Sequence, residues 1–160
     1  MKYSRLTKEQ FEALHQEFAE FLATQSIDQH QWEIIKRKQP QLFEEELDLF
    51  SDMIWDKTLR NLSHLENSSP TQLFLFACGR DTIRLRMVKC KKPDVDLTTS
   101  EGWEWVLSHI HSPQVELFTS EKKITKDREQ QLFALIQQGC QLSRGERFEQ
   151  LESFFKTPKK

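Results

Sequence analysis

The sequence is poor in the residues that usually announce a chemistry. Cysteine occurs at three positions only, Cys78, Cys90 and Cys140, an odd number with no C-x-x-C pair, which argues against a disulfide framework and against a zinc knuckle. Glycine occurs four times, and no Walker-type glycine loop, G-x-S-x-G elbow or H-E-x-x-H helix is present. The longest apolar run, Leu73 to Cys78, is far too short to span a bilayer, so no membrane contact is expected. There is no excess of positive charge either. A net charge of -2 argues against a general polyanion binder. The first residues, MKYSRLTKEQFEALHQ, lack the apolar centre of a secretory signal and are interrupted by acids, which points to neither export nor organelle import. A reducing cytoplasm is the expected location.

What is abundant is aromatic and helical. Twelve Phe and four Trp in 160 residues promise an aromatic-rich core, and the scarcity of Val and Gly favours helices over sheets. Thr7 to Gln10 and Asp28 to Gln31 have the form of capping boxes opening two helices, with Pro40 as the stop of the second. Leu42 to Glu66 is the longest helical pattern, its stripe carried by Phe43, Leu47, Phe50, Ile54, Leu62 and Leu65 at three- and four-residue steps. On its other face Glu44, Asp48, Asp52 and Asp56 stand four apart and line one acidic ridge.

After Pro70 the period changes. Thr71 to Cys78 and Thr82 to Cys90 read as a β-hairpin around the three-residue loop Gly79-Arg80-Asp81. That loop opposes Cys78 to Thr82 and pairs Leu75 with Leu85 on a core face, and Phe76 with Arg84 and Phe74 with Arg86 on the other. Thr99 caps a short helix, Val115 to Phe118 is a third strand, Thr125 caps a helix ended by Gly139, and Ser143 to Glu146 opens a last helix. The expected fold is therefore α+β, a predominantly helical single domain over residues 1–156. It has a small two- or three-stranded sheet, a hairpin near 72–90 with a third strand near 114–119, and a frayed tail at 157–160.

Several constellations compete as functional sites. The ridge Glu44, Asp48, Asp52, Asp56 repels itself by a few tenths of a kcal/mol per pair and invites a positive counterpart, either internal, from Arg84, Arg86 or Lys89, or a basic protein surface. The hairpin carries six basic residues against Asp81 alone between Gly79 and Lys92. A face bearing Phe74, Phe76, Arg84, Arg86 and Lys89 is a platform for stacked single-stranded bases. Asp94 and Asp96 with Thr98 and Thr99 form the most polar loop, read either as acid–base chemistry or as turn and cap bonds. His109 and His111 lie on opposite sides of a helix and do not make a metal site. The segment LFALIQQGCQLSRGERFEQL has the outline of a helix-turn-helix, but Gly145 and the acids Glu146, Glu149 and Glu152 disfavour duplex DNA. It reads as a helical hairpin. The leading expectation is a non-enzymatic protein-binding or adaptor module with segregated acidic and basic surfaces. Single-stranded RNA binding through the hairpin is the alternative and an enzyme using Asp94 and Asp96 the third. No cofactor, metal or catalytic residue is expected.

The stretches MKYSRLTKEQ, ELDLFSDMIW, PDVDLTTSEGWEW and LIQQG, spread over nearly the whole chain, resemble a family of small proteins of Bacteroidota bacteria that has no assigned function. The resemblance implies a bacterial cytoplasmic setting and brings no catalytic residue, cofactor or partner with it.

Overall fold

In a computed structural model, which describes residues 1–155, the chain forms two compact units, Met1–Arg60 and Asn61–Lys160. The expected tail at 157–160 lies outside the described residues. The first unit is all helix: α1 (Lys8–Ala13), α2 (His15–Ala23), α3 (Gln29–Lys38) and α4 (Pro40–Arg60). Both capping boxes form. Thr7 accepts from Gln10 N while Gln10 reaches back to the Thr7 amide, and Asp28 and Gln31 do the same. Pro40 does more than stop α3. It is the first residue of α4, where its missing N–H costs nothing and its fixed φ suits the helix. The core of this unit is a set of rings. Phe50, fully buried, has the Phe18 ring at 4.9 Å, Phe21 at 5.4 Å and Phe11 at 5.9 Å.

The second unit holds β1 (His64–Ser68), β2 (Gln72–Cys78), β3 (Thr82–Cys90), α5 (Ser100–Ser108), β4 (Val115–Lys123), α6 (Arg128–Gln137), β5 (Gln141–Ser143) and α7 (Glu146–Phe155). The strands form one antiparallel sheet in the order β4-β3-β2-β1-β5. The expectation of a small two- or three-stranded sheet is thereby corrected to five strands. One missed strand overlapped the end of a helical reading and the other lay in the connection between two expected helices. The long helix ends at Arg60, and Leu65 and Glu66 lie in β1. Their three-residue spacing from Leu62 fits a helix, but Asn61, Ser63, His64, Asn67 and Ser68 are poor helix formers, and β2 and β5 supply pairing on both sides. Gln141–Ser143 forms β5 against β1, so the expected helical hairpin at the end of the chain is α6, a strand, then α7. Gly139, at φ 112°, ends α6 in the left-handed region as anticipated.

The hairpin register also differs, and by one residue. Gly79 N donates to Thr82 O at 2.9 Å, which leaves only Arg80 and Asp81 in the turn instead of three residues. Cys78 then opposes Ile83, Leu75 opposes Arg86 and Phe74 opposes Met87. Because side chains alternate, a one-residue change in loop length moves a whole strand to the other face. One face now carries Leu73, Leu75, Ala77, Arg84, Arg86, Val88 and Cys90. Its apolar members pack with Trp103 and Val106 of α5 and Phe148 and Leu151 of α7 in the main core. The other carries Phe74, Phe76, Ile83, Leu85, Met87 and, from β4, Phe118.

Candidate functional site

The second face of the sheet is only partly covered, and its open portion is a groove. Phe76, Ile83 and Leu85 form the floor and Ala134 and Leu135 of α6, with Gln138 just past its end, the wall, while Ser120, Lys122, Thr125 and Lys126 contribute from β4 and the loop after it. The cavity measures about 450 Å³, within the range of ligand-binding clefts. Asp127 positions the wall by capping α6, accepting from Glu129 N at 3.0 Å. Arg128, the first residue of α6, ties it to the hairpin end by donating to Gly79 O at 2.8 Å, Leu62 O at 2.7 Å and Cys78 O at 3.1 Å. Register sets the charge of the groove. Lys122 opposes Ile83 and so belongs to the groove face; Glu121, which opposes Arg84, still contributes to the lining, so the rim holds two lysines against one acid. Beside the groove, β4 pairs with β3 alone, and its second edge has no strand partner among the described residues. Phe118 on this strand is 47% exposed. An apolar floor, lysines at the rim and an open strand edge together suit an extended segment carrying a large apolar side chain and carboxylates.

Of these residues the sequence singled out Phe76 alone. Lys122 and Lys126 follow the predicted third strand, and the signal that finds them is the continuation of β4 to Lys123, four residues past the last β-branched or aromatic position, Thr119.

The acidic ridge has an internal counterpart that the sequence reading did not weigh: the chain's own first residues. The Lys2 and Tyr3 amides donate to the two Asp52 carboxylate oxygens at 2.7 and 2.9 Å. The Tyr3 hydroxyl donates to Asp56 Oδ1 at 2.5 Å and Lys2 Nζ reaches the same oxygen at 3.3 Å. Arg5 Nε donates to Asp48 at 2.8 Å and its guanidinium also pairs with Glu44, while Leu6 N donates to the buried Ser51 hydroxyl at 3.0 Å. All four acids are thus engaged by residues 2–5. The Tyr3 hydrogen bond, with Lys2, holds the Asp56 carboxyl below its ordinary range. A depressed carboxyl contributes stability above its unfolded-state value, about 3.9, and loses it as pH falls through the lower folded value. The only tyrosine of the chain reports this: its ring signals should stay constant from neutral pH to about 4 and shift only below. A transition near neutral pH, or none in strong acid, would contradict the pairing.

The remaining predicted residues are dispersed. Phe74 and Phe76 are half-buried on the groove face, while Arg84 and Arg86 lie on the opposite one. Arg86 Nε meets Glu152 Oε1 at 2.5 Å, Arg84 stands 3.9 Å from the same carboxylate, and both guanidinium groups lie 5.5 Å from the Phe148 ring. Lys89 opposes Glu116. The Asp94 and Asp96 loop is built from turn and cap bonds. Asp96 Oδ1 accepts from Thr98 N at 2.9 Å and Thr98 Oγ1 at 2.6 Å, Thr99 Oγ1 accepts from Gly102 N at 3.0 Å, and Lys92 pairs with Asp94. These bonds hold both carboxyls low, through Lys92 for Asp94 and Thr98 for Asp96. All three cysteines are free and buried. Burial pushes the Cys78 thiol up to about 11, far from the thiolate that reactive cysteines need.

An α+β chain with a five-stranded antiparallel sheet and this half-open groove defines a class of small domains rather than an activity. The chain belongs to the family described as "Family of unknown function (DUF6495)", whose profile matches residues 1–156. No curated protein and no solved structure matches it. Among the described residues no helix is long and apolar enough to cross a membrane.

Proposed function

We propose that this chain is a non-enzymatic protein-binding module that takes an extended, acidic segment of its partner along the open edge of β4. The observation that carries the reading is the adjacency of that edge to the lysine-rimmed groove. Main-chain groups of the edge supply affinity by strand addition, the Phe76–Ile83–Leu85 floor takes one large apolar side chain, and Lys122 and Lys126 attract carboxylates. The charges at the end of β4 also guard the edge against indiscriminate pairing, so the partner must answer them. Three free, buried cysteines support a cytoplasmic setting, and the resemblance to Bacteroidota proteins supports a bacterial one.

The test is a short blocked peptide of alternating valine and glutamate with one central phenylalanine, titrated into the full chain. Binding is expected to slow hydrogen exchange at β4 amides and to weaken roughly tenfold in a Lys122→Glu, Lys126→Glu variant, since charge-assisted contacts contribute about 1.5–3 kcal/mol. Binding that leaves β4 amides unprotected, or none at about 1 mM peptide, would sink the reading.

A further inference from the structure

The helical unit contains a second cleft, independent of the groove, of about 470 Å³. Its apolar lining is Leu6, Phe11, Phe18, Trp32, Phe43 and Leu47, all but Leu6 only half-buried. The rings are set at different angles: Trp32 meets Phe18 edge-on, at 5.3 Å and 85°, and Phe43 at 4.9 Å and 31°, so the cleft presents ring edges and faces together. Offset and edge-to-face arrangements are the geometries in which a further ring gains most.

Charge decides what that ring carries. Lys8 from the start of α1 and Lys36 from the last turn of α3 stand at the cleft. Among the described residues neither has a carboxylate within ion-pair distance, unlike Arg5 at the same cleft, which is taken by Asp48 and Glu44. Lys36 Nζ lies 6.0 Å from the Phe43 ring centre, too far for more than a weak attraction, and so is available to an anion beside that ring. Glu12 is the one acid in the lining, and His15 adds an imidazole. Volume, ring geometry and the two lysines match a flat aromatic body bearing one negative group.

We propose that this cleft is a binding site for a small aromatic acid, its ring among Phe18, Trp32 and Phe43 and its anionic group between Lys8 and Lys36. The probe is 2-naphthoate titrated into the full chain, with 2-naphthylmethanol as the uncharged isostere, both followed by tryptophan fluorescence. The acid is expected to bind roughly tenfold tighter than the alcohol, and that preference should vanish in a Lys8→Glu, Lys36→Glu variant. Both lysines are exposed, so the variant should melt as the native chain does. A Trp32→Leu variant, which keeps apolar volume and removes the ring, should weaken both ligands alike, read by ligand-observed NMR. Equal affinity for acid and alcohol, an unchanged preference in the lysine variant, or no binding at about 1 mM would overturn the proposal.

Discussion

Replacing Phe50 by alanine should lower the free energy of unfolding by about 3–5 kcal/mol, measured by equilibrium denaturation. The magnitude follows from packing, because Phe50 is wholly inaccessible and the Phe11, Phe18 and Phe21 rings surround it at 4.9 to 5.9 Å. Those three belong to α1 and α2, so Phe50 joins three helices, and removing it leaves a cavity that no single side chain fills. Backbone effects cannot account for the loss, since alanine is the best helix former. Leu49, next to it on α4 but 56% exposed, is the control, and Leu49→Ala should stay within about 0.5 kcal/mol. Similar losses at both positions would mean that burial among the three rings does not set the cost.

The contrast between these neighbours also shows what the sequence could and could not reveal. Helix stripes and caps are local: Phe50 on its three- and four-residue stripe, and the Thr7, Asp28 and Thr99 caps, were legible because every partner lies within one turn or one face. The sheet was only half legible. β2 and β3 alternate strongly enough to be seen, but β1 and β5 contain few β-branched residues and become strands only because their neighbours supply hydrogen bonds. The turn at Arg80 and Asp81 fixes the register, and reading one residue too many into it placed the arginines beside Phe74 and Phe76. The acidic ridge was visible as a charge problem, yet its answer lies 43 to 54 positions away, in Lys2, Tyr3 and Arg5, where no periodicity points. The groove escaped for the same reason. Phe76, Leu135 and Lys122 come from three elements, and their meeting depends on how α6 returns to the sheet.

Glu152 gives the sharpest test of how the basic hairpin is accommodated. In the sequence it reads, with Glu146 and Glu149, as one of three acids of the last helix that disfavour duplex DNA. In the structure it is buried, 5% exposed, and its carboxylate meets Arg86 at 2.5 Å and Arg84 at 3.9 Å. Arg86 in turn opposes Leu75 on the core face, a position that a charge can hold only with a partner. Glu152→Ala leaves that guanidinium, only 11% exposed, with two aromatic rings, Phe148 at 5.5 Å and Phe155 at 5.7 Å, and no carboxylate. Breaking a buried pair in this way should cost about 3–5 kcal/mol. Replacing both partners by leucine removes the unpaired charge and should restore most of the loss, because a buried pair is close to neutral against an apolar pair of similar volume. The ordering is the decisive result: Glu152→Ala and Arg86→Ala each less stable than the Arg86→Leu, Glu152→Leu double variant. If Glu152→Ala costs less than about 1 kcal/mol, the arginine escapes to solvent and the core face of the hairpin is held by its apolar members, Leu73, Leu75, Ala77, Val88 and Cys90, alone.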